Sequence, residues 1–227
     1  MPQRVLGSLT IGQAPRADVV PIIERHIPAG VRHIHRGVLD GLSAAQIAAR
    51  YRPEPGDALL ISRLLDGTVL ELSRERMRDG VQDALLALEG EGCDVVLVLC
   101  TGTFTGLHTR QTWLVEPDHI IPGMVAGLVE HRQLGIIVPL AGQIESERDK
   151  WNGLAQPPIF SVVSPYAGSP EEMLAAGADL KSRGAAAILL DCIGFTEQHR
   201  AALTPLGLPV MLSNAIAAKA VSELLEI

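Results

Sequence analysis

Short apolar runs alternate with amphipathic stretches along the whole chain. Val5–Ile11 and Val31–Arg36 read as strands, and Ala17–His26 and Ser43–Tyr51 as helices, the second with Ser43 in the capping position. Ala58–Leu64 and Thr68–Leu72 form a hairpin around the turn signal Asp66-Gly67. Ser73 caps a helix in which Met77, Val81, Leu85 and Leu88 keep helical spacing up to Gly90. Asp94–Leu99 has no polar alternation, the pattern of a strand covered on both faces.

The second part of the chain repeats the theme. Leu134–Val138 and Ile159–Val163 read as strands, and Ile144–Leu154 as a helix. Ser169-Pro170-Glu171-Glu172 combines a cap, a proline in the first turn and early acids, and so starts a helix ending near Arg183-Gly184. Ala186–Leu190 is a second buried strand. Pro209–Leu212 is a last short strand, and Ser213 caps a final helix to Leu225.

Strands alternating with helices predict an α/β fold with parallel sheets covered on both faces. The order helix, glycine, buried strand, cysteine, glycine, phenylalanine occurs twice, over Arg74–Phe104 and Glu171–Phe195. This predicts two similar, doubly wound halves related by internal duplication and facing a central cleft. The first, 1–118, is enlarged by the hairpin. The second covers 119–212, with the boundary in the Pro117–Gly123 region, and the 213–227 helix is expected to cross back to the first half.

Composition narrows the partners. Hydrophobic residues make up 47% and aromatic residues 3%, a globular profile. The net charge is −7 and the Lys and Arg residues are scattered, which disfavours nucleic acid. No apolar run approaches the roughly 18 residues that would span a bilayer, and the start lacks a signal-peptide pattern, so a cytoplasmic protein is expected. Three cysteines do not make a disulfide framework. Homo-oligomerisation is compatible with these features and not specified by them.

Two of the cysteines stand at matching places. Cys100 follows the run VVLVL (95–99) and precedes Thr101, Gly102 and Thr103; Cys192 ends AILLDC (187–192) and precedes Gly194 and Phe195. Both fall at the carboxyl edge of a parallel strand, where open α/β sheets bind ligands. A buried cysteine is commonly just a small hydrophobe, and Cys93, at the opposite edge, is read that way. A matched pair facing one cleft suits acid–base chemistry instead. A thiolate can take a proton α to a carboxylate while a thiol delivers one to the other face.

Supporting candidates share that edge. Thr10, Gln13 and Arg16 lie where the first strand turns into its helix, Arg16 with a fork suited to a carboxylate. Ser213 and Asn214 follow the last strand. Arg63 flanks the hairpin and is placed to close over the cleft. His33 and His35 share one face of a strand, but no third ligand stands at a telling spacing, so no metal is expected there. No glycine motif for NAD or ATP is present, and no cofactor is expected.

The chain resembles the AroM family, within the aspartate/glutamate/hydantoin racemase superfamily. The AroM likeness runs through LTIGQAPR (9–16), Leu134–Pro139, LLDCIGF (189–195) with His199-Arg200, and Leu212-Ser213-Asn214. The superfamily likeness rests on the two cysteines and the duplicated halves. It implies cofactor-independent racemisation or epimerisation of an amino acid, hydantoin or related small carboxylate, with Cys100 and Cys192 as opposed acid and base. The superfamily also holds decarboxylases and maleate isomerases, so one-cysteine isomerisation and mere binding of a small carboxylate remain alternatives.

Overall fold

A computed structural model of the protein describes residues 3–226. The first sheet contains β1 (Val5–Thr10), β2 (Arg32–Gly37), β5 (Val95–Leu99) and β6 (Trp113–Val115), in the order β2-β1-β5-β6. The second contains β7 (Leu134–Val138), β8 (Ile159–Val162), β9 (Ala187–Leu190) and β10 (Val210–Leu212), in the order β8-β7-β9-β10. All pairings in both sheets are parallel. Read outward from β1 and from β7, the two orders are the same. The central strands β5 and β7 are buried at every position, as their unbroken apolar sequences require.

The helices are α1 (Val20–Glu24), α2 (Ala44–Tyr51), α3 (Arg74–Gly90), α4 (Pro117–Val129), α5 (Gln143–Ser146), α6 (Pro170–Ser182), α7 (Glu197–Ala202) and α8 (Ser213–Leu225). Ser43 and Ser169 close full capping boxes with Gln46 and Glu172. Helix α1 is shorter than Ala17–His26, because Pro21 is tolerated only in a first turn and Val20 begins it. The 144–154 stretch is not one helix: α5 gives way to a 3-10 turn at Arg148–Trp151, which lets the neighbours Lys150 and Trp151 both turn inward. Residues 117–123, the expected boundary, are the first part of α4, whose Pro122 and two glycines hid its helical character. Helix α8 packs Ala217, Ala218, Val221 and Leu225 against Leu6, Ile23 and Leu97 of the first half. Among the described residues no helix is long and apolar enough to cross a membrane.

The inserted hairpin joins the two halves. Strands β3 (Leu59–Arg63) and β4 (Val69–Ser73) pair antiparallel around Gly67, whose φ of 91° suits glycine. Successive residues of a strand face opposite sides, and β3 uses this. Leu60 joins the core cluster that holds Cys100, whereas Ile61 joins the one that holds Cys192. The Leu65 amide donates to Gln13 Oε1 at 2.9 Å, and Gln143 Nε2 donates to the Leu59 carbonyl at 3.0 Å. The hairpin is therefore latched to both halves. Its seat is tight at Gly12, where a Cβ would overlap Ser62 Oγ and lie 2.6 Å from the Arg63 carbonyl oxygen.

A Gly12→Ala substitution is therefore expected to cost about 1–3 kcal/mol by overpacking. Because one side of the overlap is backbone, the hairpin yields as a unit. Hydrogen exchange should accelerate over residues 59–73 and stay unchanged in β5 and β7.

Candidate active site

The carboxyl ends of β5 and β9 meet beneath the hairpin. Thr10 of β1 is level with Leu99, so Cys100 lies beside Ile11; Ile137 of β7 is level with Leu190, so Cys192 lies beside Pro139. All four residues line one cavity, together with Arg16, Leu60, Ile61, Leu99, Thr101, Gly102, Gln143, Tyr166, Ile193 and Gly194. The two thiols thus reach the same space from different halves. Their settings match closely. The Gly102 amide donates to Cys100 Sγ at 3.4 Å, and the Gly194 amide donates to Cys192 Sγ at 3.4 Å.

The cavity is narrow. Its volume of about 20 Å³ admits roughly one water molecule. Leu60 presses on Gly102, where an added Cβ would sit 2.7 Å from Leu60 Cδ2. Tyr166 covers Gly194 so tightly that a Cβ there would overlap its hydroxyl. Burial pushes the Cys100 thiol up to about 12 and the Cys192 thiol up to about 11. The glycine amides oppose the shift in both, as do Lys150 at Cys100 and Arg16 at Cys192. Both thiols are neutral at pH 7 in this form.

A buried charge cluster holds the two cysteine loops together. Lys150 Nζ donates to the Thr101 carbonyl at 2.9 Å and to Asp191 Oδ2 at 2.8 Å. Its side chain is 3% exposed and that of Asp191 2%. Ser213 Oγ donates to Asp191 Oδ1 at 3.1 Å. Glu147 lies 3.6 Å and Asp118 4.0 Å from the same ammonium. Burial pushes the Glu147 carboxyl up to about 7, with Asp191 and Asp118 adding to the shift and Lys150 and Arg74 opposing it.

The residues proposed from sequence divide into groups. Cys100, Cys192, Arg16, Thr101, Gly102 and Gly194 line the cavity. Arg16 does not offer a free fork: its Nε and Nη2 are bound to Asp18 at 2.9 and 2.7 Å, and Nη2 also donates to the Tyr166 hydroxyl at 3.1 Å. Gln13 and Arg63 line a neighbouring depression, with Arg63 stacked 5.8 Å from the centre of the Tyr166 ring. Thr103 lines a separate open depression of about 490 Å³, with Arg74, Arg78 and Lys150.

Four proposed residues support the loops instead of facing the cavity. Thr10 Oγ1 accepts from the Gly12 amide at 3.2 Å. Phe195 is fully buried, with its ring packed edge-on to His199. Ser213 is not a cap, because its hydroxyl serves Asp191 and Leu212 takes the capping position. Asn214 Nδ2 donates to the carbonyls of Ile193 and Phe195 at 2.9 and 2.7 Å, bracing the Cys192 loop. Sequence reading missed Tyr166, Lys150 and Gln143. The position of Tyr166, four residues after β8 at the ligand edge, was the available signal.

The AroM protein family model matches residues 6–225. The chain belongs to this family. Among solved structures it is similar to allantoin racemase from Pseudomonas fluorescens, at 15% identity and a TM-score of 0.60, covering 96% of this chain and 89% of that one. Glutamate racemase from Francisella tularensis subsp. tularensis SCHU S4, in complex with D-glutamate, is similar at 12% identity and a TM-score of 0.62, with coverage of 98% and 81%. The maleate isomerase Iso from Pseudomonas putida S16 is similar at 12% identity and 0.62, with coverage of 97% and 92%. No curated protein matches the chain significantly. This AroM-family chain thus shares the fold of two racemases and a maleate isomerase.

Two outcomes are expected of the charge cluster. Lys150→Met leaves Asp191 buried without its cation, and such a removal costs about 3–5 kcal/mol, measurable as a lower urea midpoint. Glu147 has a folded pKa above its ordinary 4.5, so the folded state holds the extra proton between pH 4.5 and about 7. Stability is therefore expected to fall as pH rises through that window, by up to about 3 kcal/mol at 1.36 kcal/mol per unit. Glu147→Gln should flatten that slope.

Proposed function

We propose that this protein is a cofactor-independent racemase or epimerase acting at the carbon α to the carboxyl group of an amino acid, hydantoin or related small carboxylate. The observation that carries this reading is the matched pair of thiols. Each sulfur accepts an amide hydrogen bond from the glycine two residues on, and both line one cavity from different halves. The fold likeness to two racemases is consistent with it.

In this reading the thiolate of one cysteine takes the α-proton and the thiol of the other gives its own proton to the opposite face. The two then stand with exchanged protonation, ready for the reverse direction. Backbone amides of the Cys100 and Cys192 loops would stabilise the negative charge that develops on the carboxylate. Arg63, which forms no ion pair among the described residues, would meet the carboxylate as the hairpin closes. Arg16 and Tyr166 position the Cys192 side. A cavity sized for roughly one water requires the hairpin to move before substrate binds.

A second reading is binding of a small carboxylate without turnover. It draws on the neutral state of both thiols under burial. In it, a ligand raises the melting temperature, and this rise survives Cys100→Ser and Cys192→Ser.

The deciding assay incubates single-enantiomer amino acids and hydantoins with the protein in heavy water. Racemisation is expected to rise with pH between 7 and 9, since burial has raised both thiols and the base is a thiolate. Cys100→Ser and Cys192→Ser should each lower it about 10²–10⁴-fold, while one-sided exchange of the α-proton persists. Full turnover in either variant would rule out the two-base mechanism.

A further inference from the structure

His33 and His35 share a face of β2, and sequence spacing supplied them with no third ligand. The fold supplies one from elsewhere. Glu24, the last residue of α1, brings a carboxylate oxygen to the two rings, and one ligand atom from each of the three residues lies within 4.8 Å of the others. His33 Nδ1 is 3.9 Å from Glu24 Oε1, and the two ring centroids are 4.0 Å apart.

Two features set this cluster apart from a chance meeting of polar groups. The His33 side chain is only 10% exposed, and neither of its ring nitrogens has a protein hydrogen-bond partner. Buried polar groups normally find partners, because an unpaired one is costly. His35, by contrast, is braced: one ring nitrogen meets Ser8 Oγ at 2.7 Å. A metal-binding imidazole usually makes such a contact with its second nitrogen, which fixes ring orientation and tautomer.

We propose that Glu24, His33 and His35 bind one divalent cation of the zinc class. Two imidazoles and one carboxylate suit a borderline metal better than Mg²⁺ or Ca²⁺, which prefer all-oxygen shells. Metal–ligand bonds of about 2.0–2.2 Å place tetrahedral ligand atoms roughly 3.3 Å apart. Closing from the observed spacing takes a shift of about an ångström, within reach of Glu24, which is 56% exposed at the end of a five-residue helix. Water completes the fourth position.

The site is separate from the cysteine cavity. His33 and His35 are level with Leu6 and Ser8, within the strands, and the cysteines lie past the carboxyl ends. The cation would pin α1 to the edge strand β2. Helix α1 follows directly on the Arg16–Asp18 segment at the cavity wall, so the pin steadies that wall from behind.

The test is calorimetric titration of ZnCl₂ into the full chain carrying Cys100→Ser and Cys192→Ser, which removes the competing thiols of the cavity. One zinc per chain is expected. Glu24→Gln and His33→Ala should each weaken binding by about tenfold or more, and MgCl₂ should give no binding. In the same variant, Co²⁺ should show visible d–d bands without a thiolate charge-transfer band. Glu24 is exposed, so Glu24→Gln decides the matter even if His33→Ala fails to fold. Absence of zinc binding, affinity unchanged in Glu24→Gln, or a thiolate band in the cobalt spectrum would overturn the proposal.

Discussion

One buried ammonium group ties the two cysteine loops together beside the cavity. Lys150 binds the carbonyl that follows Cys100 and the carboxylate that precedes Cys192, so a single side chain sets the spacing of both thiol loops. An isolated buried charge would be prohibitively costly, and a pair is favourable only when its remaining donors and acceptors are satisfied. Asp191 meets that condition through Ser213. Burial acts to lower the Lys150 pKa, but Asp191 and Glu147 keep it raised, so the ammonium persists. Burial, with the neighbouring carboxylates Asp191 and Asp118 adding to it, makes Glu147 hold its proton more tightly. The cluster is thus a structural tie whose protonation belongs to the neutral pH range.

Enclosure sets the second constraint. Leu60 and Ile61 close the cavity from opposite faces of one strand, and exclusion of water is what raises both thiols. The same enclosure strengthens hydrogen bonds from the glycine amides, because a low dielectric leaves them unscreened. The proposed proton transfer by a thiolate therefore pulls against the burial that keeps both thiols neutral. The hairpin over the cavity is tied down by the hydrogen bonds of Gln13 to Leu65 and of Gln143 to Leu59.

Much of this was legible in the chain. The apolar runs 94–99 and 186–190 announced buried strands, Ser43 and Ser169 announced helix starts, and Asp66-Gly67 announced the hairpin, because each signal acts within a few residues. The repeated cysteine and glycine spacing located both thiols at strand ends. Helix α4 was not legible, since Pro122, Gly123 and Gly127 mimic a linker until packing of Ile121, Val125 and Val129 overrides propensity.

What the sequence determined by itself was most of the strands and capped helices, their duplicated order, and the placing of Cys100 and Cys192 at equivalent edges. The tertiary structure alone decided who their neighbours are. Arg16 looked like a carboxylate clamp, but Asp18 occupies its fork; Ser213 looked like a cap, but serves Asp191. Tyr166, Lys150 and Glu24 acquire their roles only through contacts with residues distant in the chain. The physical reason is range: periodicity and capping are local, whereas burial and charge pairing depend on what the folded chain brings within a few ångströms.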